Sequence, residues 1–221
     1  MPESAPEAVL FDLDGTFADT APDLGAALNA LRAELGLDPV DLLTLRRYAS
    51  QGVRGMLGAG LGIKPEHPDY APLYRRFLGH YQQTLCVHTR LFDGVAALIE
   101  ALEQRRLRWG IVTNKSQRFT LPLMQQLGYA RRAACLISGD SSPRTKPHPQ
   151  PMLLACAVAG CAPERTLYVG DDRRDIDAGR AAGMVTIAVR YGYLGDSGPI
   201  EDWGADHLVD HPDAIATLLG C

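Results

Sequence analysis

Four short apolar runs constrain this chain more than any other feature: Ala8–Phe11, Trp109–Val112, Thr166–Val169 and Met184–Val189. Each stops abruptly, at Asp12, Thr113, Gly170 and Arg190 respectively. Runs this short, with no polar alternation, read as strands buried on both faces, as in a parallel sheet. Weaker runs at Cys135–Ile137 and His207–Val209 extend the set. Helical patterns lie between them; Val95, Leu98, Ile99 and Leu102 repeat at the three-four spacing of one buried face. Such strand–helix alternation predicts an α/β fold built on a doubly wound parallel sheet.

From about Asp19 to Leu91 the alternation fails. Leu24, Leu28, Leu31 and Leu35 again have helical spacing, but no convincing strand interrupts the stretch. Ordinary connections in compact domains are short. A segment this long predicts a helical insertion after the first strand, packed over the sheet edge as a cap. Gly52, Gly55, Gly58, Gly60 and Gly62 crowd one part of it. No strand precedes them, which argues for turns and close helix packing rather than a phosphate-cradling loop.

Composition narrows the function. A chain of 221 residues, 46% hydrophobic and 22% charged, can bury a sizeable core, so disorder is not the default. Its 22 Lys and Arg against 26 Asp and Glu leave a net charge of −4, which suggests neither a nucleic-acid partner nor an anionic membrane. The first residues, through about Glu7, read as a loose polar tail without the features of a signal peptide. No segment approaches a membrane span. The five scattered cysteines form no CxxC pair, and Cys156 and Cys161 lack the second half of a zinc site. Inert thiols in a reducing cytoplasm are the expectation.

Ligands of α/β proteins sit at the ends of parallel strands. The first run leads into Asp12-Leu13-Asp14-Gly15-Thr16, where two carboxylates can point to one side and the glycine permits a sharp turn. Helix-capping aspartates would explain either residue alone but not the whole string. The second run leads into Thr113-Asn114, a hydroxyl and an amide able to donate to phosphate oxygens, although a threonine there is also a common helix cap. Asn114-Lys115-Ser116 is not a P-loop, because Asn114 stands where that motif needs glycine. Lys146 lies in the loop Gly139–Pro149, where prolines could hold an ammonium in one place. The third run leads into Gly170-Asp171-Asp172-Arg173-Arg174-Asp175, whose carboxylates suit a hard cation.

In order and spacing these four elements resemble those of the haloacid dehalogenase-like hydrolases, over essentially the whole chain. The resemblance implies a catalytic core of residues 1–18 and 92–221 and a helical cap domain of residues 19–91. It implies a magnesium-dependent phosphatase of a small phosphorylated metabolite. Asp12 would be the nucleophile and Asp14 the general acid, then base. Mg2+ would be bound by the Asp12 carboxylate, the Asp14 backbone carbonyl and the Asp171 carboxylate. Thr113 and Asn114 would hold phosphate oxygens, and Lys146 would offset the clustered negative charge. Asp172 and Asp175 would orient neighbours or bound water.

Three rival readings share parts of this pattern. A dehalogenase would use Asp12 without magnesium, against which Asp14 and the phosphate-binding set argue. A sugar-phosphate mutase would use the same machinery but return phosphate to its substrate. A phospho-receiver domain also combines Asp, Thr, Lys and magnesium, but in a shorter chain with no cap. Within the family the chain resembles the phosphoglycolate phosphatase type. Leu91-Phe92-Asp93-Gly94, Val112-Thr113-Asn114-Lys115, Met124-Gln125-Gln126-Leu127-Gly128 and Trp203-Gly204-Ala205-Asp206 also resemble phosphatases of N-acetylmuramic acid 6-phosphate. Both substrates carry a carboxylate besides the phosphate, so the cap should offer a cation. Arg54, between Gly52 and Gly55, is the candidate; a solvated surface arginine is the alternative.

Overall fold

A computed structural model describes residues 5–220, and every apolar run of the sequence lies in it as a strand. In chain order the elements are β1 (Ala8–Phe11), β2 (Ala18–Asp19), α1 (Ala21–Glu34), α2 (Leu42–Arg46), α3 (Gly52–Leu61), α4 (Tyr70–Gln83), β3 (Arg90–Leu91), α5 (Val95–Gln104), β4 (Arg108–Val112), α6 (Gln117–Gln126), β5 (Cys135–Ile137), α7 (Gln150–Ala159), β6 (Thr166–Gly170), α8 (Arg173–Ala181), β7 (Val185–Val189), β8 (His207–Val209) and α9 (Pro212–Leu218). Six strands form one sheet in the order β5-β4-β1-β6-β7-β8. Its neighbouring strands all run parallel.

Both faces of this sheet are covered, which is why its strands lack polar alternation. Val9 and Phe11 of β1 point into a core shared with α5, α6 and α9, while Leu10 points into a second core with Met152, Ala155 and Ala178 of α7 and α8. Leu167 and Val169 of β6 face the first core and Tyr168 the second. The chain reverses its winding at β1, between β4 and β6. Phe11 is level with Ile111 on one side and Val169 on the other, so Asp12, Thr113 and Asp171 emerge together at the crevice.

Between β1 and β4 the chain runs through α1–α4. It leaves and returns side by side, through antiparallel pairs Ala18–Leu91 and Asp19–Arg90 of β2 and β3. These two-residue strands are too short to leave a periodic signal in sequence. Leu24, Leu28 and Leu31 are buried along α1, whereas Leu35 falls past its end and is 39% exposed. The glycine patch serves packing and turns: a Cβ on Gly60 would overlap Leu28, and Gly62 ends α3 at φ +68°.

The polar tail is shorter than its sequence suggests. Glu7 donates its N–H to the Arg165 carbonyl and pairs with the Arg165 guanidinium at 2.7 Å, so the chain is tied down just before β1. Residues 1–4 of that expected tail lie outside the described residues, as does Cys221. No helix among the described residues is long and apolar enough to cross a membrane.

One buried carboxylate locks the returning chain to α1. Asp23 is fully buried and accepts from His88 N (2.8 Å), Thr89 N (2.9 Å) and Thr89 Oγ1 (2.7 Å). Asp23→Ala would strand these donors. We expect urea unfolding to show a loss of about 3–5 kcal/mol, because each buried donor left unsatisfied costs about 1–3 kcal/mol. A loss below about 1 kcal/mol would mean that water replaces the carboxylate.

Candidate active site

The turn after β1 is shaped by Gly15. Its φ of +92° lies in the left-handed region, and a Cβ there would overlap the Asp171 carboxylate. Loop and β6 end therefore meet at contact distance. Thr16 donates its hydroxyl to Asp171 Oδ1 (2.9 Å), while Tyr193 N (2.8 Å) and Ser50 Oγ (3.2 Å) donate to Oδ2. Asp12, Asp171 and Asp175 are all buried and can bring one carboxylate oxygen each within 4.8 Å of the others.

A single ammonium stands among them. Lys146 Nζ, 5% exposed as a residue, donates to Asp175 Oδ1 (2.7 Å), the Val112 carbonyl (2.9 Å) and Tyr168 Oη (3.0 Å). It also pairs with Asp12 Oδ1 at 2.8 Å. Burial works against its charge, but Asp12 and Asp175 outweigh burial and hold its pKa above the ordinary lysine value. The carboxylates remain in surplus. Burial pushes Asp12 up from 3.8 to about 7, with Lys146 opposing and Asp175 adding to the shift. Asp171 rises well above the ordinary range through burial, then through Asp12 and Asp175. Clustered oxygen ligands with uncompensated charge fit a hard divalent cation. Asp175 is the poorest ligand of the three, because its oxygens already accept from Lys146, Tyr168 and Asp172 N.

Other expected residues gather at the same place with unequal duties. Asp14 Oδ1 accepts from Thr20 Oγ1 (2.5 Å) and Lys115 Nζ (2.8 Å). The Thr113 hydroxyl accepts from Lys115 N (3.1 Å), which leaves its own proton available to the cleft. Asn114 differs from expectation. Its amide oxygen accepts from Lys146 N (3.0 Å) and its amide nitrogen donates to the Lys146 carbonyl (3.1 Å), so it holds the lysine loop. Asp172 caps α8 and grips Arg174, accepting from Nε (2.9 Å) and Nη2 (2.8 Å). Arg54, on α3, is exposed and lines the cleft.

The cleft measures about 380 Å³. Asp12, Asp14, Thr113 and Lys146 form its floor; Ser50–Arg54, Tyr70, Tyr74 and Tyr81 come from the inserted helices. Sequence reasoning missed Lys115, Thr16, Ser50, Tyr81 and Arg174. Lys115 was legible in principle, as a lysine directly after a strand end. Ser50, Tyr81 and Arg174 reach the site through tertiary packing, which no local pattern announces.

The raised pKa of Asp12 makes stability pH-dependent in the metal-free protein. The native state binds this proton more tightly than the unfolded chain, so its stabilising contribution is full below pH 3.8 and is lost as pH rises through about 7. With metal chelated, the Tm of the wild type should fall relative to Asp12→Asn across that window. A constant difference would show that the carboxyl does not titrate there.

Comparison with known proteins agrees with this architecture. The haloacid dehalogenase-like hydrolase pattern matches residues 9–189. An N-acetylmuramic acid 6-phosphate phosphatase of Pseudomonas aeruginosa is 47% identical over 213 residues, covering 96% of this chain and 94% of the relative. A phosphoglycolate phosphatase of Xanthomonas campestris is 46% identical over 214 residues, covering 95% of each. Among solved structures, a predicted phosphoglycolate phosphatase of Haemophilus somnus superposes with a TM-score of 0.85 at 26% identity, covering 98% of this chain and 99% of that one. The match to the family pattern spans strands, inserted helices and strand-end carboxylates alike, and the chain belongs to the haloacid dehalogenase-like hydrolases.

Proposed function

We propose that this chain is a magnesium-dependent phosphatase that hydrolyses a small phosphorylated metabolite through an aspartyl phosphate on Asp12. The observation that carries the reading is the buried Asp12–Asp171–Asp175 cluster around one ammonium, at the floor of a cleft. Residues 19–91 act as the cap, and residues 1–18 with 92–221 as the catalytic core. The free thiols Cys86, Cys135, Cys156 and Cys161 suit work in a reducing cytoplasm.

Asp12 attacks phosphorus, and the bond to the ester oxygen breaks as the Asp12–phosphorus bond forms. Asp14 gives its proton to the departing oxygen; Lys115 and Thr20 hold its Oδ1, leaving Oδ2 for the transfer. Asp14 then takes a proton from the water that attacks the aspartyl phosphate, releasing phosphate and restoring Asp12. Thr113 donates its hydroxyl to a phosphate oxygen, and Lys146 offsets charge on Asp12 and the phosphoryl group. Asn114 positions Lys146. The Asp12 and Asp171 carboxylates and the Asp14 carbonyl would hold a magnesium ion, whose charge would let an anionic nucleophile approach an anionic phosphate.

The names of the relatives point to phosphoglycolate or N-acetylmuramic acid 6-phosphate as substrate. The cleft volume favours the larger. About 380 Å³ with a wall of Tyr70, Tyr74 and Phe119 suits a sugar better than a two-carbon acid. Arg54 reads the carboxylate that both substrates carry.

Asp12→Asn should fold normally and lose phosphate release altogether; a variant keeping a substantial fraction of wild-type turnover would remove Asp12 as nucleophile. Activity should vanish on chelation, return with magnesium and be poorly supported by calcium, whose looser coordination spoils alignment. Full activity after exhaustive chelation would exclude the metal. Arg54→Ala should lower kcat/KM for the carboxylated substrate more than tenfold while sparing p-nitrophenyl phosphate. Equal losses on both would place Arg54 in folding or cap closure instead.

A further inference from the structure

Tyr81 has no part in the chemistry above, yet it lines the cleft from α4 and is 2% exposed. Its ring centroid lies 5.3 Å from that of Phe119 and 6.4 Å from that of Phe77, so the phenol is wedged in place. Its hydroxyl is buried with the Lys115 ammonium against it, and no described residue accepts its proton. Lys115 Nζ sits over the ring face, 4.9 Å from the centroid, and commits a proton to Asp14 Oδ1 at 2.8 Å. The ammonium, 8% exposed as a side chain, has further protons to give.

An orphan hydroxyl destabilises a packed site unless something accepts its proton. Phenylalanine would fill the same space without that cost. Burial pushes the Tyr81 phenol up to about 12, so it stays a neutral donor at any working pH. Lys115, ion-paired with Asp14, carries the charge. Two donors, one of them charged, therefore stand beside Asp14, the carboxylate that faces the departing oxygen.

We propose that the Tyr81 hydroxyl and the Lys115 ammonium form a subsite for an acceptor oxygen on the leaving group, close to the carbon that carries the phosphoester. The subsite rests on the phosphatase reading, because Asp14 defines the leaving-group side. It makes the cap element α4 a reader of the organic part of the substrate, separate from Arg54 on α3.

Tyr81→Phe tests this directly. The assay compares phenyl phosphate, whose leaving group has no oxygen beyond the ester, with 2-phosphoglycolate or N-acetylmuramic acid 6-phosphate, whichever the wild type hydrolyses faster. The variant should lose tenfold or more in kcat/KM on the oxygen-bearing substrate, keep its rate on phenyl phosphate, and keep or raise its Tm. Equal loss on both substrates, no loss on either, or a Tm lowered by several degrees overturns the subsite. A wild type no faster on either oxygen-bearing substrate than on phenyl phosphate also overturns it, but leaves the phosphatase reading standing. A wild type that releases phosphate from none of the three overturns both.

Discussion

The ammonium of Lys146 is the contact on which the rest of the site depends. It joins four elements through oxygen: Asp12 after β1, the Val112 carbonyl at the end of β4, Tyr168 on β6 and Asp175 on α8. Each of these carries its oxygen inside the protein, where an unmatched charge is costly. The lysine cannot wander, because Asn114 clamps its backbone on both sides. Removing either partner of such a buried pair typically costs about 3–5 kcal/mol. The ammonium is thus both a counter-charge to the strand-end carboxylates and a tie between the two halves of the sheet, on either side of the crevice.

A second set of contacts carries the site into the inserted helices. Arg174 Nη2 donates to the Ser50 carbonyl (2.9 Å), while Ser50 Oγ reaches Asp171 Oδ2 (3.2 Å). The segment just before α3 is therefore seated at two points, one of them a carboxylate of the metal-fitting cluster. Asp172 explains how: by accepting from both Nε and Nη2 of Arg174 it fixes the guanidinium plane, which then faces the inserted segment. On the other side of the cleft, Tyr81 packs against Phe119 across the same boundary, the two rings tilted by 53°. The inserted helices contact the strand-end groups directly rather than merely roofing them.

Much of this was legible in the sequence because strand ends are local. An apolar run followed by Asp12, Thr113 or Asp171 states which residue leaves the sheet, and parallel pairing then brings all three to one crevice. Helix faces such as Val95–Leu98–Ile99–Leu102 were equally plain, since burial imposes their period. What was not legible depends on distance in sequence. β2 and β3 have two residues each and exist only because the chain returns beside its point of departure. Asn114 looked like a phosphate donor because an amide after a strand is free until the Lys146 loop folds against it. Glu7 looked like tail because its partner, Arg165, lies far along the chain. Ser50 and Arg174 find each other only after the insertion has packed.

The Gly170-Asp171-Asp172 string shows the limit of reading chemistry from residue type. The two aspartates are adjacent and both buried, yet burial wins at one and loses at the other. Asp171 faces Asp12 and Asp175, and its pKa climbs well above the usual range. Asp172 faces Arg174, whose guanidinium and backbone N–H overcome burial and hold its pKa below that range. Both lie just past the end of β6, where one carboxylate joins the charge-surplus cluster and its neighbour caps α8. A cation drawn to the first gains nothing from the second, whose charge is already matched. The fold, by choosing neighbours, leaves one aspartate with charge to spare and makes the other a brace.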